Sequence, residues 1–510
     1  MKLTLVLPLS ACALGALGCA SAGAVDEKAT APAASANSWY EDGQAALAAR
    51  KAQKSNKKHA KNVILFIGDG MDPTTVAAAR IFDGQSRGED GEENLLSFEK
   101  LPHVAYSKTY TTDFQVPDSA GTASAMLTGV KTRSGVLSIS EDAPRGDCAA
   151  ALASVVPTLA ELAEKDGLAT GVVSTARVTH ATPGAVYAHS ADRGWEADSN
   201  MPDAAKAAGC KDIARQLIEF PYGDGLEVVL GGGRRVFTPS AVEDPETGAA
   251  GARKDGRDLT AEWTQKSPQH QYVWNSDGFN AAPDTSRLLG LFEPGHMKYE
   301  MLREDDKAGE PSLADMTEKA IKILSHNDEG YFLMVEAGRI DHAHHGGIAR
   351  GALADAQEYS QAVARALAMT NDKDTLIIVT ADHGHTLAFQ GYPAKGNDIL
   401  GLSKNVDDSG ALVARDAADG KPYTTLVYAN GPGSVLAKGQ DHSKGRPAPS
   451  DDDVAQKNYR QQALIPMGSE THGGQDVPVY ASGPKAYLIS GVFEQNYIFH
   501  VIADALELDE

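Results

Sequence analysis

Five short runs in this chain are almost unbroken strings of β-branched and other apolar residues: NVILFIGDG (62–70), TGVVST (170–175), EVVLGGG (227–233), YFLMVEA (331–337) and TLIIVTADHGH (375–385). They do not alternate apolar with polar, so the strands they predict have no face that can be left in water. The stretches between them supply the cover. PTLAELAEKDG and ALADAQEYSQAVARALAM read as helices, and strands alternating with helices define an α/β chain. The expected fold is a large central, mostly parallel β-sheet flanked by helices on both faces. Residues 240–290 and 393–460 are richer in Gly, Pro, Asp and Ser, and are expected as loop-rich insertions within one domain spanning 62–510.

The N-terminus, MKLTLVLPLSACALGALGCASAGA, reads as an export signal over 1–22. Two readings of its processing stay open. Ala20-Ser21-Ala22 is an A-x-A site for release, and Ala16-Leu17-Gly18-Cys19 is the short box that precedes a lipid-modified Cys19, which would anchor the chain to a membrane. Residues 23–37 are Ala/Ser/Pro-rich and read as a flexible tether. Ser38 and Glu41 then form an S-x-x-E start for a helix running to about Gln53, within an N-terminal arm of 38–61. No other run of eighteen apolar residues exists, so no membrane-spanning helix is expected. The location implied is periplasmic or extracellular. Outside the signal only Cys148 and Cys210 remain, and in an exported protein they are expected as a disulfide rather than two buried thiols.

The formal charge is -22, from 47 Lys+Arg against 69 Asp+Glu. That argues against nucleic acid or an anionic membrane surface as the main partner. An anionic substrate can still bind where metal ions or Arg reverse the field locally.

Three of the predicted strands end in an acid: Asp69, Glu336 and Asp382. In a doubly wound sheet ligands bind beyond the carboxyl ends of the strands. Three carboxylates converging there would raise one another's pKa unless cations neutralise them. Asp341 and His345 are spaced i, i+4 and share one face of a helical turn. A carboxylate oxygen with an imidazole nitrogen suits zinc. Asp382-His383 offers a second such pair, and His472, in a Gly-flanked loop, a further ligand. Ser119, in QVPDSAGTASAMLTG, opens a predicted helix. Such a Ser is most often a cap, yet the position also favours anions, and a metal can activate the hydroxyl. No G-x-S-x-G surrounds it, so an α/β-hydrolase elbow is not indicated.

The motifs IGDGM, VPDSAGTASA, THATPGAVYAHSADRGW, EAGRIDHAHH, TADHGH and ETHGGQDVPVYASGP, in this order, resemble those of the alkaline phosphatases, and of their animal-type branch in particular. The resemblance runs from about Trp39 to the C-terminus. It implies a crown-like insertion domain, a homodimer on which the N-terminal helix packs, and hydrolysis of phosphate monoesters through a phosphoserine. One zinc would be held by Asp341, His345 and His472, and a second by Asp69, Asp382 and His383 beside the nucleophile Ser119. A magnesium would be held by Asp69, Thr182 and Glu336. Arg193 would clamp the phosphate oxygens, a task that suits a planar fork. His180 and His342 would stand behind these ligands, beside magnesium and phosphate, where imidazole also favours zinc. His344 and His385 are left as either structural or placed behind the ligands. Glu246, Glu293 and Glu310 with the Phe292 carbonyl match a calcium site of that branch, the alternative being a bland acidic surface. Cys148 and Cys210 match a disulfide of the same branch. Other readings are a phosphodiesterase or sulfatase on the same sheet, and a non-catalytic zinc-binding surface protein. VPDSAGT lacks the local motif for formylglycine, and every matched ligand position carries a competent residue.

Overall fold

The computed structural model describes residues 38–436, 443 and 445–509; the export signal, the tether and the Cys19 box lie outside the described residues. The chain divides into two units at Lys54/Ser55. In the first, Ser38–Ala52 is a helix with no buried residue, and Trp39, Tyr40 and Leu47 are exposed. Among the described residues no helix is long and apolar enough to cross a membrane.

The second unit contains β1 (Asn62–Gly68), β2 (His103–Lys108), β3 (Ala169–Arg177), β4 (Val228–Gly232), β5 (His270–Val273), β6 (Arg287–Leu291), β7 (Tyr331–Ala337) and β8 (Thr375–Ala381). There follow β9 (Gly384–His385), β10 (Leu387–Phe389), β11 (Lys404–Val406), β12 (Leu412–Ala414), β13 (Leu426–Gly431), β14 (Ala463–Pro466), β15 (His472–Gly473), β16 (Val477–Ser482) and β17 (Gly491–Glu494). Ten strands form one sheet in the order β17-β2-β16-β8-β1-β7-β3-β4-β6-β5. The five apolar runs are β8, β1, β7, β3 and β4, adjacent and parallel in its centre.

Their continuous apolar character has a direct cause. Along β1, Ile64 and Phe66 enter one core while Val63, Leu65 and Ile67 enter another on the opposite face. Helices Leu313–Leu324 and Ala349–Met369 cover the first core; Ser119–Thr128, Leu159–Lys165 and Tyr497–Leu506 cover the second. Each fully buried Val, Leu, Ile or Phe contributes about 1.5–3 kcal/mol, so a polar residue on either face of β1 would be costly.

One feature departs from the sequence expectation. Residues 270–291 contain β5 and β6, which pair in parallel at one edge of the main sheet rather than forming part of a separate insertion. β5 is half-buried, as an edge strand can be, and carries no apolar run to betray it. At the other end β16 runs antiparallel to both β8 and β2, while the other pairings of the sheet are parallel, so the sheet is mostly parallel as expected. β2 buries one face only and so lacks a continuous run. In and around residues 393–460, β13 joins β10 and β14 in a small sheet, and β11 pairs only with β12.

The central register positions the chemistry. Gly68, the last residue of β1, lies opposite Ala337 of β7 and Ala381 of β8. Asp69 and Asp382 therefore leave neighbouring strands at the same level, and Glu336 pairs with Ile67 and Ser174 one residue earlier.

Candidate metal centre

The sharp exit from β1 uses Gly70, whose φ is +72° and whose N–H donates to Asp382 Oδ1 at 3.0 Å. A Cβ there would strike the His385 ring, so the turn requires glycine on two counts. Two residues after β7 the helix Arg339–His345 begins, and it turns Asp341 and His345 toward the same edge. Ser119 is the first residue of helix Ser119–Thr128, capped by Asp118, whose Oδ1 accepts from the Gly121 N–H at 3.1 Å. His472 arrives from far along the chain because β15 pairs antiparallel with β9, His472 opposite His385.

The donor and acceptor chemistry of Asp341, His345 and His472 points to a cation. His345 Nδ1 donates to the Glu470 carbonyl at 2.6 Å and His472 Nδ1 to the Pro117 carbonyl at 2.8 Å. A carbonyl only accepts, so both rings carry their proton on Nδ1 and present a lone pair at Nε2. Those two Nε2 atoms lie 3.1 Å apart, and Asp341 Oδ1 is 3.3 Å from one and 3.2 Å from the other. Three lone pairs converge with no proton between them, which a zinc-sized cation resolves.

The second group repeats the logic. His383 Nδ1 faces the Gly384 carbonyl, and its Nε2 lies 3.3 Å from both Asp69 Oδ1 and Asp382 Oδ2 and 3.1 Å from Ser119 Oγ. In the third, Asp69 Oδ2, Glu336 Oε1 and Thr182 Oγ1 are all buried, and none has a hydrogen-bond partner outside this set. An oxygen-only set of two carboxylates and a hydroxyl suits a hard cation such as magnesium. Burial pushes the Asp69 carboxyl far up, with Asp382, Asp341 and Glu336 adding repulsion. Burial likewise carries Glu336 to about 7, with Asp382 and Asp341 adding repulsion, despite a hydrogen bond from Ser174 Oγ. These residues fit the ions that the sequence implied.

Arg193 is held beside this centre. Its Nη1 donates to Asp118 Oδ2 at 2.9 Å and its Nη2 to His180 Nε2 at 3.1 Å. His342 and His180 have ring centroids 5.4 Å apart, and His296, which the sequence reading passed over, lies 4.0 Å from His342.

His344 and His385 acquire tasks. His344 is fully buried, with Nδ1 at 2.7 Å from the Tyr428 hydroxyl and Nε2 at 3.1 Å from Thr75 Oγ1. His385 donates from Nδ1 to Glu470 Oε2 at 2.6 Å and from Nε2 to Asp341 Oδ1 at 2.9 Å. Burial opposes a charge on this ring, but the two carboxylates prevail and push its pKa up to about 10.

Residues 60–508 match the family model described as alkaline phosphatase. The chain belongs to the alkaline phosphatase family. It is 47% identical over 478 residues to the tissue-nonspecific alkaline phosphatase of Mus musculus, covering 92% of this chain and 88% of that one. It is 46% identical over 462 residues to an alkaline phosphatase of Gadus morhua, with 89% and 93% covered. Among solved structures, the alkaline phosphatase of Thermus thermophilus superposes with a TM-score of 0.63 at 24% identity, covering 90% of this chain and 94% of that one. That of the Antarctic bacterium TAB5 gives 0.58 at 22%, covering 89% and 100%. The alkaline phosphatase fold is thus shared even where sequence identity is low.

Away from this centre, Cys148 and Cys210 form a disulfide. The candidate calcium residues also meet. Glu246 Oε2 accepts from Arg234 Nη2 at 2.9 Å, the Phe292 carbonyl accepts from Arg234 Nη1 at 3.2 Å, and Glu293 pairs with Lys298. Asp306, which the sequence reading did not include, adds a fourth carboxylate, pushed up to about 6 by burial, Glu246 and Glu293. Glu310 reaches about 8 through burial and the charge of Glu293.

Proposed function

We propose that this chain is an exported, metal-dependent phosphomonoesterase that cleaves phosphate monoesters to alcohol and inorganic phosphate through a phosphorylated Ser119. The observation that carries the reading is the convergence of His345 Nε2, His472 Nε2 and Asp341 Oδ1 without a proton, beside a buried serine hydroxyl at 3.1 Å from His383 Nε2. Asp341, His345 and His472 would hold one zinc, and Asp69, Asp382 and His383 a second. Asp69, Thr182 and Glu336 would hold magnesium. When bound, paired zinc ions stabilise the attacking and leaving oxygens of an in-line displacement and bring the pKa of bound water down to about 7.

The chain's own residues do the rest. Ser119 Oγ gives up its proton and forms the bond to phosphorus as the ester oxygen departs with its electron pair and takes up a proton to leave as the alcohol. Water, giving up a proton, then displaces Ser119 Oγ, which is reprotonated as inorganic phosphate is released. The Arg193 fork holds two non-bridging oxygens and keeps phosphorus in line with Ser119. Asp118 and His180 hold that fork from behind, and Ser174 orients Glu336. Glu246, Glu293, Glu310 and Asp306 with the Phe292 carbonyl would be the donors of an additional calcium, since hard oxygen donors suit that ion, in place of the cations Arg234 and Lys298 that pair with Glu246 and Glu293. Residues 38–61 would pack on a second copy in a homodimer, and Cys19 would carry a lipid if the lipoprotein box is used.

The test is a metal count on the purified protein together with hydrolysis of an aryl phosphate. The expected result is bound zinc, and activity lost in a chelator and by on the order of 10³-fold or more in Ser119→Ala. Zinc without activity would overturn the enzyme reading, and full activity in Ser119→Ala would overturn the nucleophile.

A further inference from the structure

Glu470 is a glutamate 1% exposed that makes no ion pair with Lys or Arg among the described residues. Its partners lie in one direction. Oε2 accepts from His385 Nδ1 at 2.6 Å, and Oε1 accepts from the Thr386 N–H and hydroxyl, each at 2.6 Å. Beyond it, His385 Nε2 donates to Asp341 Oδ1. The main chain of the same residue reaches the other ligand: Glu470 O accepts from His345 Nδ1 at 2.6 Å, and Glu470 N–H donates to His345 O at 3.0 Å. One residue thus touches, directly or through one ring, two of the three groups read as the first zinc site, and it lies two positions before the third, His472.

The backbone holds Glu470 in turn. Gly431, at φ +135°, packs its α-carbon against the Glu470 side chain, and a Cβ there would press on Glu470 Cβ at 3.1 Å. Thr386, which follows His385 directly, makes the carboxylate's remaining hydrogen bonds. The carboxylate therefore has one orientation, and the His385 ring is fixed by it.

We propose that Glu470 is the positioning residue of the first zinc site: its carboxylate aims Asp341 through His385, and its peptide fixes the tautomer and direction of His345. Groups that orient a metal ligand typically alter metal affinity 10–100-fold when lost. A buried carboxylate with a purely structural task would alter folding stability and leave metal release untouched.

This inference rests on Asp341, His345 and His472 being a zinc site, and the wild-type metal count tests that reading separately. With the zinc-loaded full chain, zinc release to a chromogenic chelator is followed in Glu470→Gln, Glu470→Asp, Thr386→Val and His385→Asn. In Glu470→Gln one site should lose zinc about 10-fold faster or more than in wild type. Thr386→Val, which removes one of the two Thr386 bonds to the carboxylate but keeps the backbone N–H and the His385 contact, should speed release less than Glu470→Gln does. Adding Glu470→Gln to His385→Asn should accelerate release no further, because both act through the same ring. If Glu470→Gln does not fold, Glu470→Asp, which retracts the carboxylate from His385, should show the same faster release. Release at the wild-type rate in a folded Glu470 variant, or full additivity with His385→Asn, would overturn the proposal.

Discussion

Asp118 Oδ2 accepts from Arg193 Nη1 at 2.9 Å, and the same carboxylate caps the helix that Ser119 begins. It also accepts from the Gly135 N–H at 3.0 Å. Burial alone would raise this carboxyl, but Arg193 and the two backbone donors hold it below the usual carboxylate range. The phosphate clamp and the nucleophile are therefore tied to one side chain, and a change at Asp118 moves both.

Asp118→Ala should cost about 1 kcal/mol of stability as a lost helix cap. It should also lower kcat/KM on an aryl phosphate by about 10–100-fold, because small misplacements of the reacting groups are expensive. Arg193→Ala should give a comparable loss in kcat/KM, about 10–100-fold for a charge-assisted pair, and its stability loss should come from the unpaired Asp118 carboxylate rather than from the helix cap, which stays in place. Melting curves and steady-state kinetics on the two variants separate the effects.

Removing metal should destabilise the fold as well as silence it. Asp69, Asp382 and Glu336 all have pKa values raised by burial and by neighbouring carboxylates, Asp341 among them in each case, so their charges are uncompensated without cations. An ion at about 100 times its dissociation constant contributes about 2.7 kcal/mol. The melting midpoint should fall in chelator and return on adding zinc and magnesium. An unchanged midpoint would contradict this account.

The disulfide closes a long loop. Cys148 and Cys210 are 62 residues apart in sequence, a length for which the chain-entropy picture gives about 4 kcal/mol. Cys148→Ser with Cys210→Ser should lower the melting midpoint by on the order of 5 °C, and reductant should do the same to wild type but not to the variant.

A pH effect is expected away from the metals. Burial and the charge of Glu227 push Glu164 from 4.5 up to about 8, although Thr170 donates to it. A carboxyl with a raised folded pKa adds stability that is fully present below its unfolded value and is lost as pH rises through the folded one. The loss attributable to Glu164 therefore falls between about pH 4.5 and 8. Glu164→Gln should raise the melting midpoint at pH 9 by about 2 °C and change it little at pH 4.5. Differential scanning at the two pH values checks it, and an equal shift at both would exclude the mechanism.

Part of this molecule was decided by local chemistry. A run such as NVILFIG has no polar face, so it could only become an interior strand of a sheet covered twice. Acids at the ends of such strands have few fates besides binding cations, and Asp341 and His345 share a face by helical spacing alone. The resemblance carried by VPDSAGTASA and ETHGGQDV assigned the remaining ligands, and Asp69, Ser119, His383 and His472 do meet at one edge. Other features depend on which strands became neighbours. β5 and β6 were illegible because a half-buried edge strand needs no apolar run, and β16 because its antiparallel entry follows from where the chain returns. Asp306 joins Glu246 and Glu293 only through a folded loop. His344 had no assignable task until Thr75 and Tyr428 closed around it from 269 and 84 residues away. Glu470 was likewise just one acid in ETHGG until β15 was laid against β9. Spacing along the chain reveals groups that share a helix face or a strand end, whereas the partners that orient them are chosen by tertiary contact, which leaves no periodic trace.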